Sequence, residues 1–118
     1  MGQMLTESQG CAVLKESFQA AGYDIHDNFA FSEGLIRFQV DGFDPATRVG
    51  FEFITTEAGD RTEISAEIIG QIEARIAQGE LFILLVDEYE VESAEELRLH
   101  AERFLEQVAQ RRRNGQKV

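Results

Sequence analysis

The chain has 118 residues, enough for one hydrophobic core, and its 22 acidic side chains against 11 basic ones give a formal charge of −11. Arg111, Arg112, Arg113 and Lys117 stand near its end, so residues 1–110 hold seven basic and twenty-two acidic groups, a net of −15. Such a body repels phosphate backbones and anionic lipid, which argues against nucleic acid and membrane as partners and favours a basic protein or a cation.

One cysteine, Cys11, cannot make an internal disulfide, and no apolar run of about 20 residues is present. The expectation is a soluble, cytoplasmic protein, a single α+β domain over 1–118 with a short basic tail at 111–118.

In chain order, Thr6-Glu7-Ser8-Gln9 forms a capping box: Thr6 is the N-cap and Gln9 the third helical position. Cys11, Leu14, Phe18 and Ala21 follow at spacings of three and four, one apolar stripe, and Gly22 is placed to end the helix. Cys11 lies on that stripe and reads as a small buried hydrophobe; Lys15 is the one cation near enough to activate its thiol.

Residues 28–31 predict a short strand turning at Ser32-Glu33-Gly34. Alternation then predicts strands over 35–40 and 49–55, with Ile36, Phe38 and Val40 on one side and Val49, Phe51 and Phe53 on one side. Pairing Val40 with Val49 would put those six residues on a common core face and set Arg37 opposite Glu52. The connection contains Asp44-Pro45, a type I turn signal, and Phe43, which at a hairpin tip would either fold back over the core or, with Asp41 and Asp44, meet a partner.

Ser65 or Thr62 caps a second helix with the stripe Ile64, Ile68, Ile72, Ile76, and Gly79 stops it. Leu81-Phe82-Ile83-Leu84-Leu85-Val86 is six apolar residues without interruption, which reads as a strand buried on both faces. A helix between two strands predicts a crossover laying 81–86 parallel to 49–55. Ser93-Ala94-Glu95-Glu96 is a second capping box, opening a last helix with Leu97, Ala101, Phe104, Leu105 and Val108 inward. Its basic end, Arg111 to Arg113, complements its own dipole, the alternative being a docking patch. The order is α-β-β-(β)-α-β-α: a small mixed sheet, antiparallel hairpin plus one parallel strand, packed by helices.

Parallel strands bring their carboxyl ends to one edge, where α/β sheets hold ligands, so Glu57, Asp87 and Glu88 would gather there as oxygen ligands suited to Mg²⁺ or Ca²⁺. The bland alternative is that these acids solvate a strand end and precede a helix N-terminus. His26 lies between Asp24 and Asp27, and His100 is four residues after Glu96; both read as surface pairs.

The order of elements over 7–86 resembles the core of the PD-(D/E)XK nuclease-like fold. The resemblance implies a metal held by Glu33 and by Glu52-Phe53-Ile54, where the family carries (Asp/Glu)-X-Lys. Ile54 replaces the motif lysine, which removes the group that would orient a water. Asp41-Gly42-Phe43-Asp44-Pro45 followed by Val49-Gly50-Phe51-Glu52-Phe53 also resembles small bacterial proteins of unknown function. Size, acidity and mixed α/β make-up are similar to those of dimeric secretion chaperones. The sequence therefore predicts a non-enzymatic acidic binding or protein-interaction module, with a protein partner or a second copy as a homodimer. The alternatives are a divergent metal-dependent hydrolase and a small adaptor or secretion-type chaperone.

Overall fold

A computed structural model describes residues 5–59 and 64–115. Helix α1 (Glu7–Ala20) is followed by three strands, β1 (His26–Glu33), β2 (Ile36–Asp44) and β3 (Val49–Ile54). Helix α2 (Ala66–Ala77), strand β4 (Phe82–Asp87), one 3-10 turn (Glu88–Glu90) and helix α3 (Ala94–Gly115) complete the order. The four strands lie in sequence order, β1-β2-β3-β4, antiparallel except for the parallel β3–β4 pair that α2 connects.

Each helix starts where side chains satisfy its first amides. In α1 the Thr6 hydroxyl accepts from the Gln9 amide at 3.1 Å, and the Gln9 side chain accepts from the Thr6 amide at 3.0 Å. Ser65 accepts from the Ile68 amide at 3.2 Å and opens α2, while the other candidate cap, Thr62, lies outside the described residues. Ser93 does the same for Glu96 at 3.1 Å, but the returning Glu96 carboxylate takes the amide of Glu92 rather than that of the cap.

The apolar run is covered on both sides, as its composition requires. Phe82 and Val86 join Leu14, Phe18, Val49, Phe51, Phe53, Leu97, Ala101 and Val108 in a core between the sheet and α1 with α3. Leu81 and Ile83 join Phe31, Ile36, Phe38, Val40, Phe43, Ile54 and Ile72 in a second core under α2. Since β4 has a strand neighbour on one side only, Leu84 and Leu85 remain half-buried.

The hairpin register differs from the one expected. Strand β2 runs on to Asp44, and the pairs are Gly42 with Phe51, Phe43 with Gly50 and Asp44 with Val49, four residues away from Val40–Val49. Ile36, Phe38 and Val40 face α2, whereas Val49, Phe51 and Phe53 face α1 and α3, so the two sets share no face. The cause is a change of face inside β2. Val40 and Phe43 belong to the same core, and a Cβ on Gly42 would point to Phe51 and Ile25 on the other side, so alternation breaks at Asp41–Gly42. Across the ladder, β1 accommodates the break at Asn28, whose φ is 49°. Strand β1 is correspondingly longer than residues 28–31 and pairs with β2 from His26–Phe43 to Glu33–Ile36.

Gly10, which weakens α1 by propensity, lies against the Phe53 ring: a Cβ there would sit 2.3 Å from Cδ2 and Cε2. Gly10→Ala should therefore lower the unfolding free energy by about 1–3 kcal/mol in urea titration, despite alanine's helix preference of about 1 kcal/mol. Stabilisation would contradict this packing.

Candidate functional site

The N-terminal half of α1 forms one wall of a cleft of about 570 Å³ whose lining includes Glu7, Cys11, Lys15, Asp27, Asp41 and Glu57. Glu7 and Cys11 are one helical turn apart and face Asp41 from β2; one ligand atom of each lies within 4.8 Å of the others. The Cys11 thiol donates to Glu7 Oε1 at 3.5 Å, and Glu7 Oε2 accepts from the Thr55 hydroxyl at 2.7 Å. Asp41 Oδ2 accepts from the Phe53 amide at 2.8 Å, while the Asp41 amide donates to Glu52 Oε1 at 2.7 Å. These bonds exist because β2 turns over at Asp41–Gly42, which presents the Asp41 carboxylate towards α1.

Burial pushes the Cys11 thiol up, and the neighbouring Asp41 and Glu7 carboxylates push it further, so it stays protonated at neutral pH. A thiol in that state is a poor nucleophile. Lys15, the expected activator, is instead paired with Asp27 at 2.9 Å. A bound cation would reverse this electrostatics. Glu7, Cys11 and Asp41 form a sulfur–oxygen set suited to a borderline ion such as Zn²⁺ once the thiol proton leaves, whereas Mg²⁺ or Ca²⁺ would use the carboxylates alone.

The carboxylate edge anticipated at the ends of β3 and β4 is only partly assembled. Glu88 is 6% exposed and its Oε2 accepts from the Thr56 amide at 2.6 Å, so it ties the two strand ends together. Asp87 caps the 3-10 turn through the Tyr89 amide at 2.9 Å, and Glu90 returns a bond to the Asp87 amide. Glu57 is turned away to α1, where it accepts from the Glu7 amide at 3.1 Å.

Glu33 and Glu52 are not brought together either. Glu33 is gripped at 2.8 Å by both terminal nitrogens of Arg48, the last residue of the turn before β3, and at 2.7 Å by Arg75 from α2. The Arg48 bonds chiefly, with Arg75 adding to them, hold its carboxyl down at about 2 against the opposing effect of burial. Glu52 lies further along β3, fully buried and bonded to the Asp41 amide rather than opposite Arg37.

Phe43 is 2% exposed, in the second core against Phe29 and Phe31 at ring distances of 5.0 and 5.5 Å, so it has no surface to offer a partner. Asp44 is also buried. Burial pushes its carboxyl up, but bonds from the Asp24, Ala46 and Thr47 amides hold it below the ordinary value. This is the turn role expected of Asp44-Pro45. Asp41 alone of the three reaches a cleft. His26 Nε2 lies 3.2 Å from Asp24 Oδ2, and neither it nor His100 lines the α1 cleft.

Two juxtapositions were not foreseen. Cys11 beside Asp41 depends on the turnover in β2, and the only local sequence signal was the one-turn spacing of Glu7 and Cys11. The arginines ending α3 do more than balance their own helix: Arg111 donates to the Ile76 and Ala77 carbonyls that end α2, and Arg112 to the Thr47 carbonyl of the β2–β3 turn.

Glu33 carries a pH signature. Its folded value lies below the ordinary 4.5, so its stabilisation is complete above that value and is lost as pH falls towards about 2. Glu33→Gln should lower stability by about 1–2 kcal/mol at pH 7, because solvent screens this partly exposed network, with the deficit shrinking as both proteins are acidified. A deficit that grows on acidification would reverse the assignment. Cys11 is half-buried rather than fully interior, so its protonation is what should slow it: a disulfide thiol reagent at pH 8 should label it much more slowly in the folded protein than in denaturant, and equally fast native labelling would contradict the neutral thiol. No protein-family model, curated protein or solved structure matches the chain.

Proposed function

We propose that the protein is a non-enzymatic binding module whose α1 cleft receives a cationic segment of a partner protein. The observation that carries this reading is the convergence of Glu7, Asp27, Asp41 and Glu57 on one cleft in which Lys15 is the only cation among the described lining residues. Phe51 and Ala12 give the same cleft an apolar side, which suits the aliphatic stem of a lysine or arginine as the carboxylates suit its head. The neutral Cys11 thiol, in a cleft that neither histidine lines, supports binding over covalent catalysis. The body's net −15 draws a basic partner in and raises the rate of encounter at low salt.

The test is a titration of the labelled protein with a nona-arginine peptide at 150 mM salt, followed by amide NMR. The shifts should concentrate at Glu7 to Lys15, Asp27, Asp41 and Glu57. Neutralising Asp27 and Glu57 together as Asn and Gln should weaken binding about tenfold, since each partly exposed charge contributes ~1 kcal/mol or less. Shifts scattered over the whole acidic surface, or affinity unchanged in the double variant, would reduce the attraction to bulk charge and overturn the cleft. Zn²⁺, Mg²⁺ and Ca²⁺ form a parallel series: an ion that binds tightly and blocks the peptide would make the same carboxylates a metal centre instead.

A further inference from the structure

At the opposite end of β3 the molecule changes sign. A second cleft, of about 720 Å³, lies between the β2–β3 turn, the end of α2 and the last turns of α3, and Arg48, Arg111 and Arg112 line it. The guanidinium carbons of Arg111 and Arg112 each lie 5.3 Å from the centroid of the Phe82 ring, which is otherwise buried. Two like charges thus share one aromatic platform, and among the described residues neither is ion-paired to a carboxylate.

Their partners are neutral. Arg111 donates to the Ile76 and Ala77 carbonyls and Arg112 to the Thr47 carbonyl, so both guanidiniums are held in place with full charge and with several of their five N–H groups uncommitted. The third, Arg48, is fixed by the Glu80 carbonyl at 2.8 Å and by Glu33, which it shares with Arg75; the exposed Glu80 side chain also lines this cleft and acts on Arg48, so among the described lining residues three guanidiniums face one carboxylate. The contrast with the acidic body makes this a local excess of positive charge built on fixed side chains.

The geometry points to an oxyanion site: Arg111 and Arg112, seated on Phe82 and backed by Arg48, bind the phosphoryl group of a small phosphorylated ligand. Two uncompensated guanidiniums match a dianion better than a single carboxylate, and their planar forks match phosphate oxygens in pairs. A long polyanion is disfavoured, because every further phosphate would run out over acidic surface. The site is independent of the α1 cleft and stands whether or not that cleft takes a basic partner.

The experiment is amide NMR of the full chain titrated with inorganic phosphate and with pyrophosphate at constant ionic strength in sodium chloride, with acetate as the carboxylate arm. Saturable shifts are expected at Thr47, Gly79, Glu80 and Phe82 with both phosphates. Arg112→Gln should weaken them at least tenfold. Arg112→Lys, which keeps the charge but not the fork, should recover only part of the loss and gives a reading if the glutamine variant is poorly folded. Absent or non-saturating shifts, shifts spread over the molecule, equal affinity for acetate, or affinity undiminished in both variants would each overturn the assignment.

Discussion

The structure depends on a strand that has no side suited to water. Leu81 to Val86 presents apolar side chains both ways, so the fold must supply two covers. Once β4 is parallel to β3 the covers are determined. The connecting α2 takes one face, and α1 with α3 the other. The acidic surface follows, since nearly all the charge is left for the outer sides of three helices and the loops.

What the sequence disclosed follows from the range over which each signal acts. Caps are short-range: Thr6, Ser65 and Ser93 each place a hydroxyl within three residues of the amide it accepts from, so Thr6 and Ser93 were legible outright and Ser65 as one of two candidates. The buried run and the crossover depend on composition and element order, and they too were legible. Register was not. Alternation is informative only while a strand keeps its twist, and the break at Asp41–Gly42 exchanges the faces without any change in hydrophobic pattern that a reader of 36–40 could detect. The attractive charge match of Arg37 with Glu52 rested on that register and went with it.

The candidate site suffered for the same reason. Glu57, Asp87 and Glu88 were grouped from strand polarity alone, which fixes the edge of a sheet but not the side chain's direction after the strand ends. Glu57 therefore went to α1, while Asp87 and Glu88 became caps and ties. Glu33 entered as a metal ligand through the nuclease-like resemblance in element order; in space it is the hub that joins β1 to the residue before β3 and to α2. The α1 cleft exists because residues 7, 11 and 41 converge through the turnover in β2. Charge is separated along β3 as a result, with carboxylates near its carboxyl end and arginines near its start.

The position of α3 in the chain has a consequence for synthesis. Residues up to Asp87 can complete the sheet and its α2 side, but Phe51, Phe53, Phe82 and Val86 keep an incomplete roof until α3 has emerged. At ribosomal speed the intervening stretch takes on the order of seconds. For that interval the nascent chain carries an aromatic-rich sheet face in the open, and the acidic charge of the emerging polypeptide opposes its sticking to neighbours.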